Sequence, residues 1–321
     1  MSLRNRWIGL SLALASSVVM AQAYPTKPIK LLVPFAAGGT TDIIARVIAE
    51  PLGKELGQVV VVENRGGGGG AIGALETARQ KPDGYNLGIA TLSSMATNPA
   101  INPKTPYDPI KDFTPIINIA ATPNVIAVNP KFPGTDYKSF EAHLKKNPGK
   151  YSYGSSGTGG VQHMLMELYK SLTQIDMVHV PYRGAGPALN DAVAGQIPMV
   201  LDNLPSALPF IKDKRLVAIA VAAPQRLAVL PDVPTFKEVG LEQVNRMAFY
   251  GILGPKNMPK ELVEKINAAT RKALQDPAVR KRIEDTGSLV VANSPEEFAA
   301  ELKTELAVYK DVVAKQKLTL D

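Results

Sequence analysis

The stretch PFAAGGTTD, residues 34–42, follows the apolar run IKLLV at 29–33 and precedes a helix-like pattern at 42–56. A strand that leads through a glycine-rich turn into a helix collects unpaired backbone N–H groups at one point. The helix dipole adds a partial positive charge there, so such a turn holds an anion without a cationic side chain. The sequence therefore predicts an α/β arrangement with an anion-binding turn between its first strand and its first helix.

A second turn of the same design is YGSSGTGG, residues 153–160, which follows a short strand pattern and precedes a helix at 161–171. The hydroxyl groups of Ser155, Ser156 and Thr158 add hydrogen-bond donors to the backbone amides. Each turn alone is weak evidence, because glycine-rich turns between strands and helices are common in α/β proteins. Two such turns, on stretches that the sequence assigns to separate domains, favour a ligand held from two sides.

Short apolar runs alternate with helical patterns along the chain, which is typical of α/β layers with mostly parallel sheets. The strands predicted from these runs lie at 29–33, 59–62, 88–91, 124–128, 152–154, 177–180, 199–202, 217–221 and 249–253. The last third is predicted to be helical, with Ser294 and Glu297 forming a capping box. Pro51 is expected to kink or end the first helix.

The first 23 residues have the three parts of an export signal in the right order. Two arginines are followed by an uncharged apolar run at 7–20, and Ala21-Gln22-Ala23 gives the small-x-small pattern of a signal peptidase site. The apolar run is short for a membrane span of about 20 residues, although an uncleaved anchor remains an alternative. We expect cleavage after Ala23 and localisation in the periplasm.

Composition excludes several classes of protein. The 321 residues contain no cysteine, so disulfides and thiolate metal sites are excluded, and only three histidines are present. The formal net charge is +7, but the basic residues are scattered and aromatic residues make up 6% of the chain. A nucleic-acid surface needs a basic stripe with interleaved aromatic residues. We therefore expect no cofactor, no metal and no nucleic-acid partner, and the length favours two domains.

Five consecutive glycines occupy positions 66–70. Two of them, Gly68 and Gly70, form with Gly73 a GxGxxG pattern that matches the dinucleotide-binding fingerprint. The acidic residue expected about 20 positions later is missing, because no acidic residue lies between Asp83 and Asp108. The Gly-Lys-Ser/Thr of a Walker loop is also missing. The run is interpreted either as a flexible surface turn or as a loop at the rim of a cleft, and the sequence leaves both open.

A secreted serine hydrolase is an alternative, with Ser155 or Ser156, His163 and Asp202 as the triad. The nucleophile elbow requires Gly-x-Ser-x-Gly, which the sequence GSSGT at 154–158 does not supply. His163 is expected in the first turn of the following helix, too close in sequence to move over the serine. The sequence therefore disfavours hydrolysis.

Six segments carry a more specific resemblance. They are YPTKPIKLLVPFAAGGTTD, VVVENRGGGGGAIG, KPDGYNLGIAT, YSYGSSGTGGVQHM, VHVPYRGAGPALNDAVAGQIPM and PDVPTFKEVG. In this order they resemble the Bug family of periplasmic solute receptors, which is associated with tripartite tricarboxylate transporters. The pure glycine run departs from the family, which usually has a proline and mixed small residues there, so the conformation of this loop stays open.

The resemblance implies a two-lobed type II periplasmic binding protein fold with a ligand cleft between the lobes. After the signal at 1–23, residues 24–123 and 247–321 would form one lobe and residues 124–246 the other. The protein would be a monomeric receptor without enzyme activity that binds a small mono- or dicarboxylate. It would deliver this ligand to integral-membrane transporter subunits through a transient contact. A periplasmic sensor for a signalling partner would use the same closing motion and stays open.

The ligand site implied by the two turns and by the resemblance combines both lobes. Asp42 is expected to brace the first helix, and Arg183 to pair with a second carboxylate or to form a surface salt bridge. Asp202 would meet a donor group of the ligand or orient Arg183 or His163, and His163 would cap its helix or line the cleft. The predicted ligand-binding residues are Phe35, Ala37, Gly38, Gly39, Thr40, Thr41, Thr91, Ser155, Ser156, Gly157, Thr158, Gly159, His163, Tyr182, Arg183 and Asp202.

Overall fold

Two β-sheets organise the chain in a computed structural model, which describes residues 24–320. The predicted export signal lies outside the described residues. The strands are β1 (Ile29–Val33), β2 (Val60–Asn64), β3 (Asn86–Thr91), β4 (Phe113–Thr122), β5 (Asn124–Val128), β6 (Ser152–Ser155), β7 (Val178–Pro181), β8 (Met199–Asn203), β9 (Val217–Ala222), β10 (Ala248–Pro255) and β11 (Leu289–Val290).

The first sheet has the order β11-β4-β10-β3-β1-β2, and the second has the order β7-β6-β8-β5-β9. Both sheets are mixed. Four strand pairings among the described residues are parallel and five are antiparallel, and each antiparallel pairing involves β4, β5 or β10. The sheets are therefore more antiparallel than the sequence predicts, because these three strands lie next to the passages between the sheets and lack the helical crossover that parallel pairing needs.

The chain passes between the sheets twice. Only Pro123 separates β4 in the first sheet from β5 in the second, and the return passage lies between β9 and β10. We call the part built on the first sheet the first lobe and the part built on the second sheet the second lobe. The predicted division at 123/124 and 246/247 follows these two passages, and we keep its exact positions as a proposal.

Helices cover both sheets. They are α1 (Thr40–Leu56), α2 (Ala71–Ala78), α3 (Asn98–Ile101), α4 (Tyr137–Lys146), α5 (Val161–Thr173), α6 (Ala185–Ala194), α7 (Leu204–Lys212), α8 (Lys260–Gln275), α9 (Pro277–Glu284) and α10 (Pro295–Gln316). The C-terminal helices α8 and α10 pack on β4, so they belong to the first lobe. None of the described helices is long and apolar enough to cross a membrane.

Helix α1 shows why this part of the chain folds as predicted. Ile44, Ile48 and Leu52 recur at helical spacing and are almost completely buried, and burial of each such side chain contributes about 1.5–3 kcal/mol. Pro51 lies inside the helix, which continues to Leu56. Of the two expected effects of Pro51, an end of the helix does not occur, and α1 reaches Leu56 as the predicted range 42–56 has it. Packing of the apolar face outweighs the one backbone hydrogen bond that proline removes.

Most of the predicted strands are present with ends shifted by one or two residues, whereas β4 and β11 were not predicted. Pro115 and Asn118 interrupt the apolar pattern of β4, and its pairing with β10 has two register shifts. Proline inside a run argues against a strand, so the sequence gives no clear signal here. The capping box of α10 is confirmed: Ser294 Oγ accepts from the Glu297 N–H at 3.1 Å, and Glu297 Oε2 accepts from the Ser294 N–H at 2.8 Å.

Candidate functional site

Three helices begin at the cleft between the lobes without a side-chain cap. Helix α1 of the first lobe begins after Gly39, and α5 and α6 of the second lobe begin after Gly160 and Gly184. Among the other described helices, α4, α9 and α10 begin with capping side chains, namely Asp136, Asp276 and Ser294, whereas α2, α3, α7 and α8 have none. The glycines leave no side chain between the helix ends and the cleft. The partial positive charges at the N-termini of α1, α5 and α6 therefore face the cleft from both lobes.

A small cavity lies where these helix ends meet. It is lined by Phe35, Gly39, Thr40, Thr41, Thr91, Leu92, Ser93, Ser156, Val161, Gln162, Ala185, Asn203, Ala248 and Tyr250. None of these lining residues, all within the described part of the chain, carries a charge. The space holds about 10 Å³ of water-sized volume, which is room for about one water molecule. The lobes therefore stand close together.

Hydrogen bonds cross directly between the lobes beside the cavity. Thr97 Oγ1 donates to the Gly159 carbonyl at 2.9 Å, and the Val161 N–H donates to Ser93 Oγ at 2.9 Å. Ser93 and Thr97 lie in a π-helical turn after β3, whereas Gly159 and Val161 lie at the start of α5. The first lobe thus supplies a hydrogen-bond acceptor, Ser93 Oγ, to the first amide of helix α5 in the second lobe.

The glycine run also contacts the second lobe. An added Cβ on Gly69, whose φ is +60°, would lie 2.5 Å from the Thr158 carbonyl oxygen and 2.7 Å from the Gly160 nitrogen. An added Cβ on Gly66 would lie 2.5 Å from the Arg183 carbonyl oxygen. Of the two interpretations left open by the sequence, this packing matches the loop at the rim of the cleft.

The loop after β6 presents two serines with different partners. Ser155 Oγ lies 2.6 Å from His179 Nε2 and accepts from the Gly157 N–H at 3.1 Å. The His179 ring stacks on the His163 ring, with 4.1 Å between centroids. Burial, with a smaller effect of His163, lowers the pKa of His179 to about 3. His179 is therefore neutral, and it anchors Ser155.

His163 accepts a hydrogen bond from the Gly159 N–H at its Nδ1 atom, at 3.2 Å. It therefore ties the loop to the first turn of α5, and it does not line the cavity. The geometry does not assemble the hydrolase triad, because the histidine that contacts Ser155 is His179. The carboxylate of Asp202 instead accepts from Ser206 Oγ at 2.6 Å.

A network that the sequence did not indicate connects Ser156 to the hinge. Ser156 Oγ donates to Gln162 Oε1 at 2.5 Å, and Gln162 Nε2 donates to Asn203 Oδ1 at 2.7 Å. Tyr250, on β10 of the first lobe, donates its hydroxyl to the same Asn203 oxygen at 2.5 Å. Asn203 Nδ2 donates to Asn124 Oδ1 at 2.7 Å. All five side chains are buried.

The two acidic residues near the cleft have opposite environments. Burial raises the pKa of Asp202 to about 7 despite its hydrogen bond from Ser206. For Asp42 burial also opposes ionisation, but hydrogen bonds from Arg46, Asn64 and the Gly38 N–H hold its pKa below the usual value. Asp42 thus braces the turn before α1, as predicted from the sequence.

Tyr182 and Arg183 lie at the edge of the interface between the lobes. The Tyr182 hydroxyl donates to Asp191 Oδ2 at 2.7 Å, and burial together with Asp191 raises the pKa of Tyr182 to about 12. The Arg183 side chain is exposed, while its carbonyl oxygen accepts from the Ala36 N–H at 3.2 Å. Arg183 contacts the other lobe through its backbone, whereas the sequence analysis expected its side chain to pair with a second carboxylate or to form a surface salt bridge.

Six predicted site residues line the cavity: Phe35, Gly39, Thr40, Thr41, Thr91 and Ser156. The other ten lie around it without lining it: Ala37, Gly38, Ser155, Gly157, Thr158, Gly159, His163, Tyr182, Arg183 and Asp202. Sequence reasoning missed Gln162, Asn203 and Tyr250. Asn203 directly follows Asp202 at the carboxyl end of a predicted strand, and this position would have indicated it as a site residue. Tyr250 lies inside a strand and carries no local signal.

Comparison with known proteins agrees with this geometry. The profile of TctC, described as the tripartite tricarboxylate transporter family receptor, matches residues 44–318. The chain belongs to the TctC family. The protein BugT of Bordetella pertussis is 32% identical over 317 residues, which cover 97% of this chain and 97% of that protein. The resemblance to Bug proteins is thereby confirmed, and TctC proteins are solute-binding receptors without enzyme activity.

Solved structures of TctC relatives support the same fold. One described as a periplasmic transporter is 55% identical and has a TM-score of 0.92, covering 93% of this chain and all of that chain. MatC from Rhodopseudomonas palustris, solved with bound malate, is 34% identical with a TM-score of 0.87, covering 90% of this chain and all of that one. The two-lobed α/β fold of periplasmic binding proteins is therefore established for this chain.

Proposed function

We propose that this TctC-family protein is an extracytoplasmic receptor that binds a small mono- or dicarboxylate between its lobes. It delivers this ligand to the integral-membrane subunits of a tripartite tricarboxylate-type transporter through a transient contact. Residues 1–23 act as the export signal in this proposal, cleavage follows Ala23, and the receptor works as a monomer in the periplasm. The family membership and the malate bound by MatC support this proposal.

The observation that carries the proposal is the convergence of the starts of α1, α5 and α6, each preceded by a glycine, on a cavity lined by uncharged residues. A carboxylate there accepts hydrogen bonds from the amides that follow Gly39 and from the Thr41 hydroxyl. Hydrogen bonds to a charged group contribute about 1.5–3 kcal/mol each. Asp42 accepts from Arg46, Asn64 and the Gly38 N–H, so its bonds do not use the amides that follow Gly39.

Closure follows from contact with both lobes. A ligand that touches α1 on one side and the loop after β6 on the other binds the closed arrangement more tightly than the open one. The direct bonds between the lobes, such as Thr97 to Gly159, are made only when the lobes meet. Ligand binding and these bonds therefore stabilise the same state, which the transporter recognises by its shape.

A thermal-shift screen of the exported protein, refolded to remove any co-purified ligand, tests the proposal. Malate, succinate, adipate, propionate and benzoate are compared with the corresponding amides. An acid that binds only the folded state at 100 times its dissociation constant stabilises it by about 2.7 kcal/mol. We expect stabilisation by at least one acid and none by its amide. No response to any acid, or an equal response to an amide, would contradict the proposal.

Two variants locate the binding in the cleft. Thr41→Val removes a hydroxyl that lines the cavity and keeps the side-chain shape, so it is expected to weaken the acid about tenfold. Thr270→Val removes an equally buried hydroxyl on α8, where Thr270 bonds to the Ile266 carbonyl. The second variant is expected to lower stability without changing affinity. Equal affinity losses in both would place the site elsewhere.

A further inference from the structure

The direction of every hydrogen bond in the network behind Ser156 is fixed by one backbone carbonyl. Asn124 Nδ2 lies 2.7 Å from the carbonyl oxygen of Arg246, which can only accept. The other end of the Asn124 amide, Oδ1, must therefore face Asn203 and accept from its Nδ2. Arg246 itself is held to α10 by an ion pair with Glu305 at 2.7 Å.

The same argument passes through the next two amides. Because Asn203 Nδ2 is committed to Asn124, Asn203 Oδ1 faces the cavity side and accepts from both Gln162 Nε2 and the Tyr250 hydroxyl. Gln162 Oε1 then faces Ser156 and accepts its hydroxyl proton. Reversal of any amide would place two donors or two acceptors against each other in a buried site, at a cost of about 1–3 kcal/mol per unpaired group.

The consequence lies in what Ser156 offers to a ligand. A serine hydroxyl has one proton and two lone pairs, and here the proton is used by Gln162. Ser156 lines the cavity, and with its proton committed to Gln162 its Oγ can offer only lone pairs to a bound molecule. A carboxylate oxygen placed there would meet an acceptor, whereas a hydroxyl or ammonium group would donate to it.

We propose that Ser156 is a specificity-determining acceptor for a hydroxyl or ammonium group that the ligand carries in addition to its carboxylate. Gln162 and Asn203 are positioning residues that fix the direction of the Ser156 hydroxyl. The preferred ligand is thus a hydroxy- or amino-carboxylate rather than the unsubstituted acid. This inference rests on the proposed function, since it assumes a carboxylate bound in the same cavity.

Two matched series of acids test the inference. Malate, aspartate and succinate share a four-carbon dicarboxylate and differ only in the hydroxyl, ammonium or hydrogen at C2. Lactate, alanine and propionate form the same series on a three-carbon monocarboxylate. We expect the best substituted acid to bind at least tenfold more tightly than its unsubstituted partner, as measured by calorimetry. The hydroxyl and ammonium members show which donor is preferred.

Ser156→Ala, Gln162→Met and the double variant test whether Gln162 acts on ligand preference by positioning the Ser156 hydroxyl or only supports the fold. Ser156→Ala removes the acceptor, so the ratio of affinities within a series is expected to fall to about one. Gln162→Met keeps the volume and frees the Ser156 proton, which is expected to lower the same ratio. The double variant is expected to match Ser156→Ala, because Gln162 acts through Ser156. Thr270→Val is the control that leaves the ratio unchanged, and urea unfolding without ligand shows whether each variant is folded.

The outcomes distinguish the two proposals. Binding of no acid in either series or in the earlier screen overturns the proposed function and this inference with it. Binding of an unsubstituted acid as tightly as its substituted partners overturns only the inference. A wild-type preference that survives in Ser156→Ala also overturns it, because the discriminating contact would then lie at another residue. If Gln162→Met does not fold, Ser156→Ala alone still decides between these outcomes.

Discussion

A Cβ atom on Gly69 would lie 2.5 Å from the carbonyl oxygen of Thr158, on the opposite side of the cleft. Real Cβ atoms essentially never come so close to an oxygen atom, and both partners are backbone groups that cannot rotate away. The approach of the lobes at this point therefore depends on the missing side chain of one glycine.

The first prediction is that Gly69→Ala weakens ligand binding by holding the lobes apart. Its matched control is Gly57→Ala, because Gly57 has a similar φ of +73° but no atom within 4 Å of an added Cβ. Both variants are expected to lose about 1 kcal/mol of stability through the positive φ. Only Gly69→Ala is expected to lose affinity, by about tenfold or more, in calorimetry with the tightest acid. Equal affinities for the two variants would contradict this role.

The second prediction concerns Asp202 and pH. Burial raises the pKa of Asp202 to about 7 in the folded protein, whereas an ordinary aspartate of the unfolded chain has a pKa of 3.8. Between these values the folded protein retains a proton that the unfolded chain has lost, so stability falls as pH rises. The slope is about 1.4 kcal/mol per pH unit. Asp202→Asn is expected to remove this contribution, as measured by urea unfolding at pH 4 to 8. An unchanged slope would show that Asp202 ionises normally.

The third prediction is an opposite slope from His179. Its folded pKa of about 3 lies below the ordinary value of 6.5, so between these values only the unfolded chain binds the proton. Stability therefore rises with pH in this window, again by about 1.4 kcal/mol per unit. His179→Gln is expected to remove this rising contribution, so that the opposite contribution of Asp202 remains, with His143→Gln as the control. If both histidine variants change the profile equally, the effect does not belong to His179.

The two slopes overlap between about pH 4 and 6.5, where they have opposite signs. Each single variant is therefore expected to show the contribution of the other residue, and the double variant Asp202→Asn, His179→Gln is expected to show neither. A profile that neither single variant changes would contradict both assignments.

The fourth prediction concerns Arg183, whose carbonyl contacts Ala36 while its side chain is exposed. Arg183→Ala keeps the carbonyl, so we expect affinity to change by less than about twofold for both mono- and dicarboxylates. Gly184→Ala is the contrasting variant, because an added Cβ would lie 2.8 Å from the Ala36 nitrogen. A selective loss of dicarboxylate binding in Arg183→Ala would instead show that the guanidinium group binds a second carboxylate.

Much of the fold was predictable because its signals are local. The apolar runs of β1 and β5 and the capping box of α10 can each be recognised within a few residues. Strand β4 escaped prediction because Pro115 breaks the local pattern, and its pairing partners β10 and β11 lie more than 120 residues later in the chain.

The candidate site also contains residues with a local sequence signal and residues without one. Thr40 and Ser156 follow strands in glycine-rich turns, so chemistry and position indicate them together. Tyr250 reaches the cavity because the chain returns through the hinge, and Gly69 matters because the other lobe packs against it. Neither fact has a trace in the neighbouring sequence, since both arise from contacts made only after the lobes are assembled.

The dependence of several side chains on the Arg246 carbonyl has a consequence for how such receptors diversify. A single substitution in the network leaves a buried amide with an unmatched neighbour, so one-step changes at Asn124, Asn203 or Gln162 carry a penalty before any new preference arises. Compensating pairs avoid that penalty. Ligand preference in this lineage is therefore expected to change by linked substitutions at these positions and not by single ones.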